Sequence, residues 1–416
     1  MFEGKINLPE DVRFIIETIE SHNCKAHAVG GCVRDSLLGR TPDDWDITTS
    51  ALPMQVKSFF KRTVDTGIKH GTVTVMMGKT GYEVTTYRID GEYKDGRHPE
   101  TVEFSVMLED DLMRRDFTIN AMAYNDADGI VDAFDGMKDL ENKIIRCVGD
   151  AKERFTEDAL RMMRAIRFSA QLGFEIHKDT WEAVIALAPN ITKVSAERIQ
   201  VELLKTLMSD NPGYVKMYKE TGLFKEILPT INHTLSGKYA NKILTMLKHA
   251  PKTAVLKYAA LLCANTPDEA RSTLKALKLD NYTVDTVTAL ITNAKIVVDE
   301  SEPAVREALH KYGKEMVGLM MEYERMVIAT SEEIMGVAMT SRKKHLTVIE
   351  YMYKEIVERG DCISVKDLDI NGNDLMEYGL SGKDIGRTLD ELLHIVMENP
   401  RLNDKATLIA LIEHLG

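Results

Sequence analysis

Val29-Gly30-Gly31-Cys32-Val33-Arg34-Asp35-Ser36-Leu37-Leu38-Gly39-Arg40, followed closely by Asp44-Trp45-Asp46, is the stretch on which the reading of this chain turns. Ala26 to Val29 is a short apolar run that reads as a strand. Gly30 and Gly31 follow it, and a helical pattern then runs from Val33 to Leu38 and stops at Gly39, a glycine just past a helix end. Neither Gly30 nor Gly31 carries a Cβ, so a ligand can come close to the backbone there. A helix that starts at such a turn aims its unpaired N–H groups at that ligand, and such an end favours phosphate. Asp44 and Asp46 fall in a segment rich enough in Trp, Ile and Thr to be a strand, where residues two apart share a face. Two carboxylates side by side repel each other unless a cation lies between them. Oxygen-only ligands suit Mg²⁺, which is commonly held by one or two carboxylates plus substrate phosphates.

A Gly-Gly pair alone is an ordinary turn, and Asp-x-Asp alone is an ordinary acidic loop. In this order and spacing they resemble the active-site signature of the DNA polymerase β-like nucleotidyltransferases. The fuller form, Gly-Gly-x-Val-Arg-Asp-x-Leu-Leu-Gly-Arg and then Asp-x-Asp, resembles the class II group, which comprises CCA-adding tRNA nucleotidyltransferases and bacterial poly(A) polymerases.

A chain of 416 residues exceeds one compact core, so two or more domains are expected. No apolar run approaches a membrane span. The start, Met1-Phe2-Glu3-Gly4-Lys5, has no basic-then-apolar leader. Cys24, Cys32, Cys147, Cys263 and Cys362 are scattered and lack Cys-x-x-Cys spacing, which points to a reducing, cytoplasmic setting and away from structural zinc. A net charge of −12 argues against a protein that coats nucleic acid, but it permits one RNA held in a local basic groove.

Along the chain, residues 9–22 read as an amphipathic helix with Val12, Ile15, Ile16 and Ile19 on one side. Residues 72–77 and 82–88 alternate as strands. In the second of these, Glu83 and Thr85 lie on one face and Val84 and Thr86 on the other. The polar, Gly- and Pro-broken segment from Arg88 to Val102 reads as a mobile loop. Residues 108–123 read as a helix, and Ile130 to Phe134 as a last strand. From about residue 150 period-two patterns vanish and helical spacing runs to the C-terminus, broken at prolines. The expected fold is α+β. A small polymerase-β-like head of mixed sheet and helices spans 1–145. An all-helical neck (146–205), body (206–300) and tail (301–416) follow.

The second informative stretch is Glu157-Asp158-Ala159-Leu160-Arg161-Met162-Met163-Arg164-Ala165-Ile166-Arg167. On one continuous helix Asp158, Arg161 and Arg164 share a broad face, with Arg167 roughly opposite Asp158. Taken alone this is an ordinary salt-bridged helix. It also resembles the class II motif Glu-Asp-x-x-Arg-x-x-Arg, which reads the incoming base, so the resemblance carries over to Asp158, Arg161, Arg164 and Arg167. Arg114-Arg115-Asp116-Phe117-Thr118-Ile119-Asn120-Ala121 resembles the family motif that selects ribose. This implies that Asp116 accepts from a 2′-OH while an arginine, Arg115 among them, holds sugar or phosphate. Asp132-Ala133-Phe134-Asp135-Gly136 resembles the family's hinge segment, with Ala133 where proline is common. Ser195-Ala196-Glu197-Arg198-Ile199 with Glu202 and Leu203 resembles its helix-supporting motif and reads as a serine cap followed by ion pairs. Glu83 reads as a solvated strand carboxylate, with a third metal-site acid as the other reading.

The resemblance is strong over residues 26–205 and faint beyond, as in Gly372-Asn373-Asp374-Leu375 and Gly382-Lys383-Asp384-Ile385-Gly386. Arg342-Lys343-Lys344-His345 reads as a solvated basic face. Lys257-Tyr258-Ala259-Ala260-Leu261-Leu262-Cys263-Ala264 lacks the His-Asp pair of relatives with a phosphohydrolase domain, so no such activity is expected.

The resemblance implies an enzyme that adds CCA to the tRNA 3′ end without a template, using CTP and ATP and releasing pyrophosphate. Mg²⁺ would sit on Asp44 and Asp46, and Gly31 and Arg34 would hold the triphosphate. A poly(A) polymerase is the nearest alternative, and those relatives usually carry a basic tail that this acidic chain lacks. Single-purpose CC-adding or A-adding-only enzymes are the next alternatives; CC-adding relatives tend to lack the mobile loop that Arg88 to Val102 supplies here, so A addition is expected. From a different class, an inactive RNA-binding relative would have little reason to keep Asp44 and Asp46.

Overall fold

Ala26–Val29 forms the buried strand that its apolar run predicts, and the head is laid out on either side of it. The computed structural model describes residues 5–91, 101–294 and 298–415. Helix α1 (Glu10–Ser21) comes first and buries the predicted stripe of Val12, Ile15, Ile16 and Ile19. Each of these side chains contributes about 1.5–3 kcal/mol relative to exposure. Then come β1 (Ala26–Val29), α2 (Gly31–Leu37), β2 (Asp46–Thr49), α3 (Pro53–Phe59), β3 (Thr63–Gly67), β4 (Thr72–Met77), β5 (Thr80–Thr86), β6 (Arg88–Asp90), β7 (Val102–Phe104), α4 (Leu108–Met113), β8 (Met122–Asn125), β9 (Gly129–Asp132) and α5 (Gly136–Glu141).

The main sheet runs β3-β4-β5-β2-β1-β8-β9, with β2 parallel to β5 and its other pairs antiparallel. All four residues of β1 are buried, as are all four of β8 beside it. The one polar side chain of β1, His27, is satisfied by Tyr87 Oη at 3.1 Å and Asp128 Oδ2 at 3.0 Å. Val29, Tyr87, Leu108, Leu112, Ala121, Ala123 and Val148 pack together as one apolar cluster of the head.

Two expectations for the head change. The helix read over 108–123 is only α4, followed by a 3₁₀ turn at Thr118–Asn120 and then β8. Asp116 turns its Oδ1 onto the Phe117 amide (2.8 Å), a local bond that competes with helix, and Met122–Asn125 is taken up by pairing with β1. The segment from Arg88 to Val102 is bounded by an antiparallel ribbon, β6 with β7, while residues 92–100, the middle of the expected loop, lie outside the described residues. At the hinge-like segment, the Asp132 carboxylate accepts the amides of Gly136 and Met137, both at 2.8 Å. A Cβ on Gly136 would lie 2.4 Å from the Thr118 carbonyl oxygen, so that glycine is sterically required.

At the end of the head β10 (Ile144–Ile145) pairs in parallel with β11 (Glu175–Ile176), and β11 is a two-residue exception to the all-helical expectation. Asp150 caps α6 (Ala151–Glu157) through the amides of Lys152 and Glu153. The chain then breaks at Asp158 (φ −141°, ψ 104°) before α7 (Leu160–Leu172), which Gly173 ends at φ 71°. Helix α8 (Lys178–Leu187) follows, and α9 (Ala196–Leu207) packs on α7. Ser195 stands at the N-terminal cap of α9 as expected, but its hydroxyl makes no capping bond.

By contacts the chain divides into Met1–Ser236 with Ala276–Lys278, and Gly237–Lys275 with Leu279–Gly416. The second unit is helical. Its longest helix, Glu302–Met335, is kinked at Gly313 (φ 79°). In Arg342-Lys343-Lys344-His345, Arg342 pairs with Glu324, Lys343 with Glu332 and His345 with Glu300, so acids offset much of that run's charge. Gly382 (φ 57°) begins the helix Lys383–Glu398, and Asn371 with Asp374 forms a capping box. Lys257 is buried and donates to the Leu247 carbonyl (2.8 Å). All five cysteines are free. Among the described residues no helix is long and apolar enough to cross a membrane.

Candidate active site

The turn after β1 is made by Gly30 at φ 85°, ψ −127°, a region that side-chain-bearing residues rarely enter. Its amide donates to the Met122 carbonyl of β8 (3.1 Å), and a Cβ there would lie 2.8 Å from Arg115 Nη1. Gly31, the first residue of α2, differs. Its φ is ordinary, and the nearest atom to a Cβ placed there is Arg34 Nη2 at 3.7 Å. The fold itself does not need glycine at 31, which leaves close approach from outside as the physical use for it.

The register Val29↔Asp46 brings Asp46 beside this turn. Strand β2 begins at Asp46, so Asp44 precedes the strand and the two acids do not share a strand face as the alternation predicts. They still interact. Burial pushes the Asp46 carboxyl up to about 6, Arg115 opposes this, and Asp44 and Glu83 add to it. Glu83 lies on β5, whose parallel register with β2 sets Ile47 beside Val84. Those two are buried, and Asp46 and Glu83, one residue before each, both face outward. Glu83 is thus an exposed strand carboxylate whose charge adds to that near Asp46. Among the described residues no three His, Cys, Asp or Glu groups converge as a ready metal site. The donors fit a hard divalent cation that shares its coordination with phosphate oxygens.

Arg115 is held at the turn by Asp111, a wholly buried carboxylate of α4 that also takes Arg114 Nη2 (2.6 Å) and Thr48 Oγ1 (3.0 Å). Burial alone would raise the Asp111 pKa, but Arg114 and then Arg115 hold it below the usual carboxylate range. Sequence reading passed over Asp111, although its spacing of three and four from two arginines is a legible helical signal.

Arg34 and Asp116 form the next layer. Arg34 is clamped by Asp35 (2.9 and 2.8 Å) and donates Nη1 to Asn120 Oδ1 (2.6 Å). Asn120 Nδ2 donates to Asp116 Oδ1 (3.1 Å), and Asp116 Oδ2 receives Arg164 Nε (2.7 Å) and Nη2 (2.6 Å). Burial opposes ionisation of Asp116, but Arg164 and Asn120 hold its carboxyl far below the usual range. The line continues to Glu202 of α9, which lies 3.9 Å from Arg164 Nη1 and accepts Arg167 Nε at 2.5 Å. Arg34, Arg164 and Arg167 all lie against the Phe168 ring, at 5.0, 5.4 and 3.7 Å from its centroid. The structure thus gathers Arg34, Arg164 and Arg167 around one phenylalanine, with Asp116 joined to them through Arg164 and Asn120.

Asp158 and Arg161 do not share a helix face. Asp158 lies in the break before α7, where its Oδ1 accepts the Leu160 amide (3.0 Å) and Arg198 of α9 pairs with both its oxygens. Arg161 donates to Glu157 (2.7 Å) and to the Arg154 and Arg114 carbonyls (3.3 and 2.9 Å). The ion pairs read into the helix-supporting motif are real, yet their partners lie 35 and 40 residues away, a distance no local spacing reveals.

Known proteins match this chain along most of its length. Residues 26–146 match the model of the poly(A) polymerase head domain. Residues 173–235 match an RNA- and SrmB-binding segment of polymerase A, and residues 250–412 match tRNA nucleotidyltransferase domain 2. The chain is 36% identical over 398 residues to the CCA-adding enzyme of Leuconostoc mesenteroides, covering 95% of this chain and 93% of that one. With the CCA-adding enzyme of Geobacillus thermodenitrificans it shares 37% over 404 residues, covering 95% and 94%. The crystal structure of the Bacillus stearothermophilus CCA-adding enzyme in complex with CTP superimposes with a TM-score of 0.78 at 32% identity, covering 96% of this chain and 95% of that one. At this identity over nearly its whole length, the chain belongs to the CCA-adding enzymes, a family of nucleotidyltransferases.

Proposed function

We propose that this protein completes tRNA 3′ ends by adding C, C and A in turn, with CTP and ATP as substrates and without a nucleic acid template. Its relatives are named for CCA addition, and the Bacillus stearothermophilus relative is solved in complex with CTP. The observation that carries the reading to these residues is the glycine turn after β1 with Asp46 and Arg115 beside it, where the charges of Asp44 and Glu83 also act on Asp46. The setting is the cytoplasm, where tRNA and both nucleotides are found.

Enzymes of this family depend on a divalent metal, and for this chain we take it to be Mg²⁺. When bound by Asp44 and Asp46 together with the triphosphate, it would neutralise charge developing at the transferred α-phosphate. The chain's own residues do the positioning. Gly31 lets the phosphates approach the backbone of α2, and Arg34 offers them the N–H groups that Asp35 and Asn120 leave over. Arg115, fixed by Asp111, lies across the turn. Asp116 and Arg164 face the sugar, while Asp158 and Arg161 meet the base edge, with Arg167 anchoring the helix to Glu202.

The test is direct. Three tRNAs, ending at the discriminator base, at C or at CC, are incubated with each nucleotide separately and their ends sequenced. Addition of C to the first two and of A to the third is expected. A run of adenylates on every substrate would overturn this reading in favour of poly(A) synthesis.

A further inference from the structure

Asn120, four residues after Asp116, lies between the two halves of the nucleotide site. It is 6% exposed, and its amide is used at both ends: Oδ1 accepts from Arg34 Nη1 at 2.6 Å and Nδ2 donates to Asp116 Oδ1 at 3.1 Å. This orientation is fixed by charge, since only the oxygen suits a guanidinium and only the N–H suits a carboxylate.

The donor and acceptor count makes that position consequential. A carboxylate has about four acceptor positions. At Asp116, Oδ1 takes the Phe117 amide and Asn120, and Oδ2 takes two N–H groups of Arg164. An incoming ribose hydroxyl must therefore displace one of these. The Asn120 bond is the longest of the four and the only one from a neutral side chain, so it yields before the charge-assisted pair with Arg164. Arg34 in turn has five N–H groups, of which Asp35 and Asn120 take three. Whatever shifts Asn120 changes how the remaining two are aimed. In a buried, low-dielectric setting such a change is transmitted along the line of bonds.

We propose that Asn120 is a positioning residue that couples Arg34 on the triphosphate side to Asp116 on the ribose side, so that grip on the phosphates and selection of the sugar are set together. This rests on the roles given above to Arg34 and Asp116.

The experiment is equilibrium binding of CTP and 2′-deoxy-CTP to the full-length protein. Arg34→Lys, Asp116→Asn and their combination are compared in the parent and in Asn120→Leu. With Asn120 present, the combined loss of CTP affinity should depart at least about fivefold from the product of the single losses, and with Asn120→Leu the losses should multiply. Asn120→Leu alone should also lower the ratio of the deoxy-CTP to the CTP dissociation constant by about fivefold. Should the leucine variant not fold, Asn120→Asp carries the test. A protonated aspartic acid has the same acceptor and donor as the amide, so its sugar selectivity should approach the parent's as pH falls and collapse as pH rises, each value read against the parent at the same pH. Single losses that multiply with Asn120 intact, or a flat pH profile for Asn120→Asp, overturn the coupling and leave the site roles standing. Should Arg34→Lys leave CTP affinity unchanged, or Asp116→Asn leave the sugar ratio unchanged, the site roles themselves are wrong and the coupling falls with them.

Discussion

Arg198 grips Asp158 from 40 residues away in sequence, with Nη2 2.7 Å from Oδ2 and Nη1 3.3 Å from Oδ1. With the Leu160 amide also on Oδ1, one acceptor position remains, on Oδ2. Arg161 is similarly committed, and its three protein bonds leave two N–H groups. One acceptor and two donors, held by neighbours, suit the amino group and ring nitrogen that cytosine and adenine both present.

That complement predicts selectivity. Uracil O4 and guanine O6 would meet Asp158 lone pair to lone pair. Asp158→Ala and Arg161→Ala should each lower the preference for C and A over U and G by about 1–3 kcal/mol, roughly five- to 150-fold. Incorporation of all four nucleotides on a tRNA lacking its end measures this. Selectivity that survives in both variants while only the rate falls would remove these residues from base reading.

Asp44→Ala and Asp46→Ala should each abolish addition, by roughly a thousandfold or more, with tRNA binding and circular dichroism nearly unchanged. A double variant that kept a tenth of parental turnover would exclude these acids as the metal ligands.

Without metal, the acid pair is a burden on the fold. The Asp46 carboxyl is raised from 3.8 to about 6, so the folded protein holds that proton more tightly than the unfolded chain does. The penalty is absent below the unfolded value and complete above the folded one. In EDTA, Asp46→Asn should therefore melt like the parent near pH 3.5 and above it at pH 7, by about 1 kcal/mol once solvent exposure is discounted. Melting curves at the two pH values decide it, and equal curves at pH 7 would mean that Asp46 is not electrostatically strained.

The two glycines should separate. Gly30→Ala forces a Cβ into a glycine-only backbone region beside Arg115 and should cost about 1–3 kcal/mol of stability. Gly31→Ala should melt like the parent and weaken CTP and ATP binding by about tenfold or more through the displaced phosphates. Nucleotide affinity that is unchanged in Gly31→Ala would mean that the phosphates do not approach there.

Glu202 is 4% exposed and pairs with Arg167, itself buried. Glu202→Leu leaves that guanidinium without its carboxylate and should cost about 3–5 kcal/mol in a denaturant titration. A loss under 1 kcal/mol would show that Arg167 finds solvent or another acid.

By itself the sequence determined the strand-turn-helix from Ala26 to Gly39, the amphipathic α1, the strand at 72–77, most of the strand read over 82–88, and the change to helix near residue 150. Each of these rests on a local period or on a glycine whose backbone admits no other residue. The motifs that carry the family resemblance are also contiguous, so Asp44, Asp46, Arg115, Asp116 and the residues of α7 could be named before any fold was known. What only the tertiary structure decided is which of them meet. Local propensity read 108–123 as helix, but pairing with the buried strand β1 converts its end to β8 and swings Asn120 between Arg34 and Asp116. Helical spacing placed Asp158 and Arg161 on one face, but the chain breaks between α6 and α7, and Arg198 from a distant helix sets the aim of Asp158. Buried charges must find partners wherever the fold brings them, and those partners lie dozens of residues away, beyond the reach of any pattern in a local window.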